Sequence, residues 1–357
     1  MLLLPILWAC NNKKYDSIVE YFKTNQQLTH IVFDLQDAEN ELLDPNSIAI
    51  SGNTIITWNP GSPKIFTTIN IATKRIIKHW GTKGQGPNEF SGLIDLYNNY
   101  SESGLNIWDV FFGKLYFVSH SDLESDSSYF QTVSTGLNKP ESLDRRDISP
   151  SVVQIDTSLF IVVAGGRSNK RLALFDLKSN EVKEIGDFPS EDMNTNLPVG
   201  LRNIAYNGRI RYNSSLKKLV SMTFSSEMFE IYNVNGTNVE LAMGNYTTVP
   251  KYREIGSRGL TSVKIETIEN GKGRNRALEL SDEYIFILYQ EYKRVGMVKP
   301  TDYKITADIV LVFDWNGNPV KLYTLDSFVT DISYDKTTNR LYAIHNNPYP
   351  EIIYFEL

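Results

Sequence analysis

Four histidines, His30, His79, His120 and His345, are the residues best suited to metal binding or to proton transfer near neutral pH. They lie far apart in the chain and no two share the spacing of a zinc site, so each reads as a wall or surface group. Cys10 is the one cysteine, which excludes an internal disulfide and a cysteine-based zinc centre. No Gly-x-Ser-x-Gly elbow and no Gly-x-x-x-x-Gly-Lys-Ser/Thr loop is present. Glycoside hydrolysis needs two carboxylates about 5–10 Å apart, but no spacing singles out a pair among the 42 Asp and Glu. The acidic stretch Asp122-Leu123-Glu124-Ser125-Asp126 lacks the order and the glycine of an EF-hand loop and is expected to be a solvated loop. We therefore expect neither metal nor cofactor.

Arginine offers more, because a guanidinium holds carboxylates bidentately while aromatic rings stack on apolar ligand faces. The candidates for a ligand face are Trp58, Lys83, Gln85, Phe112 and Arg145, together with Arg167, Arg202, Arg253, Arg294 and Tyr349. Arg146 and Arg258 fall in the same loops, and Glu141, Asp144, Asp147, Glu191, Asp192 and Glu254 offset most of the charge. These residues share a face only if the intervening elements bring their loops together.

The elements are short runs rich in β-branched and aromatic residues, separated by Gly, Asn and Pro. Ile48-Ala49-Ile50, residues 54–57, residues 65–69 and residues 76–80 read as a four-stranded meander. Its third strand recurs at residues 114–118, 171–177, 228–233, 308–314 and 351–355, with turns of one kind at Asp176-Leu177-Lys178, Asn233-Val234-Asn235 and Asp314-Trp315-Asn316. Six repeats that cannot cover their own faces imply a radial array, so the fold class is all-β, a six-bladed β-propeller of four-stranded antiparallel blades. The last repeat lacks a strand, and the unassigned run His30 to Leu35 is expected to supply it and close the ring. Residues 291–306 read as an elaborated loop inside blade five. In such a blade, the joints from second to third strand and from fourth strand to the next blade emerge on one face, and these joints carry the candidate residues above.

Composition limits the partners. The chain has 357 residues, 36 Lys and Arg against 42 Asp and Glu, and a net charge of −6, which argues against general nucleic-acid binding. An apolar run ends in Leu7-Trp8-Ala9-Cys10 and gives way to Asn11-Asn12-Lys13-Lys14, a pattern that resembles a bacterial lipobox. Residues 1–9 are expected to be a signal peptide, residues 10–28 a lipidated cysteine with a tether and short helix, and residues 29–357 the propeller.

The segment Gly84-Gln85-Gly86-Pro87-Asn88-Glu89-Phe90 follows the first meander. With the lipobox and the Tyr- and Asn-rich repeats, it resembles a motif of six-bladed, TolB-like propeller lipoproteins of Bacteroidetes. The resemblance implies a cell-envelope protein and carries no catalytic residue. Physically, the loop is either a stiff turn or a cradle of backbone amides for an anion. We expect a monomeric, non-enzymatic binding module for a glycan, peptide or envelope protein, held by its lipid on the periplasmic side of the outer membrane. The alternative is a lyase or hydrolase acting on an anionic polysaccharide.

Overall fold

The computed structural model describes residues 17–36, 42–86, 89–98, 104–125, 131–134, 150–164, 168–190, 199–257, 260–265, 273–291, 307–346 and 349–357. Blade one consists of Ser47–Ser51, Thr54–Trp58, Phe66–Asn70 and Arg75–Trp80. Blade two is Ile94–Asn98, Gly104–Asp109, Lys114–Ser119 and Gln131–Ser134. Blade three is Val152–Gln154, Leu159–Val163, Leu172–Asp176 and Glu181–Ile185. Blade four is Gly208–Asn213, Lys218–Thr223, Phe229–Asn235 and Asn238–Asn245. Each is an antiparallel meander in chain order.

Blades five and six share a strand. Blade five is Arg274–Leu280, Tyr284–Gln290, Ala307–Asp314 and the first half of Pro319–Asp335. That strand passes through a register shift between the pairs Ile309–Thr324 and Ala307–Val329, and its second half opens blade six. Arg340–Asn346 and Pro350–Glu356 follow. Ile31–Val32 pairs antiparallel with the last of these, Ile31 opposite Tyr354 and Val32 opposite Ile353, so the ring closes with the N-terminal run expected to do so.

The burial pattern explains why these sequences form blades. The two inner strands of blade one are buried at every position, because neighbouring blades cover both of their faces. The outer strand Glu181–Ile185 is mostly exposed, and its sequence Glu-Val-Lys-Glu-Ile is correspondingly polar. Apolar clusters bridge successive blades: one joins Ala49, Ile56 and Phe66 of blade one to Leu96, Ile107 and Tyr116 of blade two. Gly52 turns the first hairpin of blade one at φ +59, and a Cβ there would lie 2.3 Å from the His120 ring. Both the backbone angle and the close approach require glycine.

Three segments differ from expectation. The stretch expected as a solvated acidic loop is a short helix, His120–Glu124, capped by Ser119 and buried through Leu123. Amphipathicity decides: Leu123 fills the core between blades one and two while Asp122 accepts a hydrogen bond from Ser119 Oγ at 2.6 Å. Asp126 lies outside the described residues. The connection from blade four to blade five carries a hairpin, Tyr252–Ser257 with Leu260–Ile265. Finally, the segment expected as a tether with a short helix has its short helix but is packed against the propeller from Ser17 onward. Ile18–Tyr21 is a 3₁₀ turn, and Ile18 is fully buried among Met222 and Phe229 of blade four and Leu278 and Ile285 of blade five. Asn25–Leu28 then runs parallel to Leu322–Leu325 as an additional strand on blade five. Residues 292–306 lie outside the described residues, in the connection between the second and third strands of blade five.

Candidate ligand-binding face

The loop after blade one positions its own anion. Thr82–Lys83 pairs with Glu89–Phe90, and the Gly86 N–H donates to Glu89 Oε2 at 2.6 Å. A Cβ on Gly84 would lie 1.9 Å from the same oxygen, so the two glycines make room for the Glu89 carboxylate. The amide cradle is thus filled from within the loop. Phe90 anchors it, fully buried, with its ring 5.1 Å from Phe66 and 5.0 Å from Tyr116. Lys83 Nζ donates to the Pro60 carbonyl, which ties the loop to blade one, while Gln85 is exposed.

The other candidates are dispersed. Trp58 is buried in the core between blades one and two. Phe112 is half-buried beside Lys114, whose Nζ lies 5.3 Å from the ring, and Tyr349 is 76% exposed. Arg202 sits on the helix Val199–Ala205, with its guanidinium 4.0 Å from the centre of the Phe188 ring. Arg253 is exposed on the hairpin that follows blade four. Phe188, Tyr206 and Tyr252 form an edge-to-face row beneath them, with centroid separations of 5.1 and 6.3 Å. Arg145, Arg167 and Arg294, with Arg146 and Arg258, lie outside the described residues. Ring closure also brings His30 and His345 into a stack 6.3 Å apart, a neighbourhood that chain spacing conceals.

The densest charge lies on the first strands of the blades, which line the central channel. Arg211 of blade four forms a bidentate pair with Asp95 of blade two, at 2.9 and 3.0 Å. Ser151 Oγ, preceding blade three, donates to the same carboxylate at 2.6 Å. Arg209 bridges two carboxylates, with Nε 3.5 Å from Asp95 and Nη1 3.1 Å from Asp331 of blade six. Asp331 also accepts from Ser47 Oγ and from the Ile48 N–H of blade one. Polar side chains from blades one, two, four and six, with Ser151 at the start of blade three, therefore meet around the axis near the face that carries the loops above.

Electrostatics divides this cluster in two. Burial opposes ionisation of Asp95, but the charges of Arg211 and Arg209 and the hydrogen bonds from Arg211 and Ser151 outweigh it and hold the carboxyl below its ordinary range. Asp95 is a finished internal strut. Arg276 of blade five is the opposite case: burial, then the neighbouring charges of Arg274 and Arg209, push its guanidinium down to about 10, with Asp331 opposing. Arg209 and Arg276 are only partly buried, so the positive end of the cluster is the end that meets solvent. Chemically, this end suits a carboxylate, sulfate or phosphate. The sequence reading missed these arginines because it searched the loops; the signal was a charged alternation, Arg209-Ile210-Arg211 and Arg274-Asn275-Arg276, at the start of strands that are otherwise buried.

Comparison with known proteins agrees with this architecture. The family described as TolB-like 6-blade propeller-like matches residues 41–337. Among solved structures, a member of the DUF4221 family from Bacteroides vulgatus is 16% identical, with a TM-score of 0.53 over 92% of this chain and 97% of that one. A presumptive exported protein from Bacteroides fragilis is 12% identical, with a TM-score of 0.53 over 93% of this chain and 98% of that one. The β-propeller domain of Cps50 (Swd1) from Myceliophteria thermophila is 8% identical, with a TM-score of 0.50 over 89% and 98%. At these identities the structural likeness speaks for the fold alone. No curated protein matches the chain. With six successive blades and a family match over residues 41–337, more than half of its length, the chain belongs to the TolB-like six-bladed propeller family.

Proposed function

We propose that this protein is an exported binding module that takes an anionic group of an envelope glycan, peptide or protein at the mouth of its central channel, without catalysis. The observation that carries this reading is the convergence of Arg209, Arg274 and Arg276, from the first strands of blades four and five, near Asp331, with Asp95, the other carboxylate that Arg209 reaches, already paired bidentately with Arg211. An incoming carboxylate or sulfate lowers the repulsion among these guanidinium groups and gains charge-assisted hydrogen bonds, which are about twice as strong as neutral ones. Hydrolysis of an anionic polysaccharide fits less well, because the channel carboxylates Asp95 and Asp331 are each held by an arginine and a serine. Export is supported by the likeness to the presumptive exported Bacteroides protein. Lipidation of Cys10, attachment to the periplasmic side of the outer membrane and a monomeric state are part of the same proposal and rest on the sequence.

The test is calorimetric titration with trigalacturonate and with inorganic sulfate, with product release assayed in parallel. Arg276→Gln is expected to weaken binding by at least about tenfold, equivalent to about 1.4 kcal/mol. Equal affinity in wild type and variant, or turnover of the oligosaccharide, removes the reading. Mass spectrometry of protein purified from cells tests the anchor: the expected N-terminus is an acylated Cys10.

A further inference from the structure

The face opposite the channel mouth carries a second cleft, between blades five and six. It has a volume of about 610 Å³ and lies between the hairpin Ser281–Tyr284 and residues 334–339. That volume is within the range of about 300–1,000 Å³ typical of small-molecule sites. Its wall is aromatic. Phe286 and Tyr334 stack 5.1 Å apart with their planes 28° from parallel, and Tyr284 meets Phe286 edge-on at 6.3 Å. Phe286 and Tyr323 are buried and back the wall from behind, with Lys321 Nζ 5.8 Å from the centre of the Tyr323 ring. Tyr284 and Tyr334 are half-buried, so each is held by the fold yet keeps part of its surface on the cleft.

The rim is polar and balanced. Lys321 and Lys336 face Asp282 and Glu283 around the same cleft, and all four are exposed. Asp282, Glu283 and Lys336 form no ion pair among the described residues, so acceptors and donors both remain for a ligand. Asn339 is fixed by the Tyr334 hydroxyl, which donates to Asn339 Oδ1 at 3.1 Å.

We propose that this cleft binds a neutral oligosaccharide. Pyranose rings present axial C–H groups to aromatic faces and a belt of hydroxyls that both donate and accept, which is the complement of a tyrosine wall with a mixed rim. The two ammonium groups cancel the two carboxylates, so the cleft lacks the positive surplus that marks the channel mouth and has no preference for an anion. The site is separate from the channel and does not depend on the anion-binding reading.

Calorimetry with four neutral trisaccharides, cellotriose, maltotriose, mannotriose and chitotriose, each at up to about 10 mM, tests this, with trigalacturonate as the charged comparator. At least one neutral sugar is expected to bind, with affinity reduced about tenfold or more in Tyr334→Ala. The double variant Asp282→Asn, Glu283→Gln changes only exposed side chains and keeps the test valid if Tyr334→Ala unfolds; it is expected to lose at least about threefold. The proposal is overturned if none of the four sugars binds, if the best of them binds the double variant and any folded Tyr334→Ala protein as tightly as wild type, or if trigalacturonate binding depends on these residues.

Discussion

Asp95 and Arg276 show how one channel holds charges of opposite consequence. The Asp95 carboxylate is buried and accepts from Arg211 and Ser151, so removing it leaves a buried guanidinium without its counter-charge. Breaking such a pair costs about 3–5 kcal/mol, and Asp95→Ala is expected to lower the urea midpoint accordingly. The pH dependence follows from the direction of the shift. The folded-state pKa of Asp95 lies below the unfolded value, so its contribution is complete above the ordinary aspartate pKa of about 3.9 and is lost as pH falls through the folded value. Thermal melts from about pH 6 to pH 3 should show an acid-side decline that is shallower in Asp95→Asn. Arg276 runs the other way: it stays protonated at neutral pH, but its lowered pKa means that the folded protein holds this charge less favourably than the unfolded chain does. Arg276→Gln is therefore expected to stabilise the free protein by about 1–3 kcal/mol while it weakens anion binding. A variant that loses both stability and affinity would instead identify Arg276 as a structural residue.

The loop after blade one illustrates what patterning reveals and what it hides. Its position, its glycines and its turn were legible, because a chain crossing from an outer strand to the next inner strand needs positive φ or close approach; that Glu89 itself fills the amide cradle was not, since the fit depends on a distance of 2.6 Å between residues three apart. Gly84→Ala should destabilise the protein by about 1–3 kcal/mol in urea unfolding, by driving a methyl group into the Glu89 carboxylate. Glu89→Ala, which leaves Gly84 unopposed, should relieve that penalty when the two are combined, so the pair is expected to be non-additive. The same division holds elsewhere. The four strands of blade one and the third strand of each later blade were readable from β-branched runs and turn residues. The polar segment Ser17–Leu28 was not read as part of the fold, because its anchoring contacts are with residues about 210 and 300 positions away: Ile18 N–H donates to Glu227 at 3.1 Å, and Thr324 Oγ1 donates to Asn25 at 3.0 Å. The channel arginines were concealed for a related reason: their partners lie on blades two removed in the ring.

Closure of the propeller thus rests on two N-terminal devices acting on different blades. Ile31–Val32 completes blade six through only two paired residues, whereas Ser17–Leu28 holds blades four and five. Glu227, fully buried, is the clasp: its carboxylate accepts from Ser17 Oγ at 2.9 Å, from the Ile18 N–H, from Thr248 and from the Tyr289 hydroxyl. Burial, followed by the Glu227 charge and its hydrogen bond, raises the Tyr289 pKa well above the tyrosine range, so the hydroxyl stays protonated and remains a donor. Removing the segment strips Glu227 of two donors and uncovers the apolar seam beneath Ile18, whose truncation alone is worth about 2–5 kcal/mol. A chain beginning at Thr29 should therefore fold with blade six closed but lose amide-exchange protection in Phe229–Asn235 and Arg274–Leu280. A chain beginning at Gln36 should lose protection in Pro350–Glu356 as well. Because these contacts join residues some 200–320 positions apart, they form late and restrain unfolding more than they speed folding, so both truncations should raise the unfolding rate with little change in the folding rate. Equal exchange in the first truncation and the full chain would show that the seam between blades four and five holds without its wedge, and that the segment serves attachment alone.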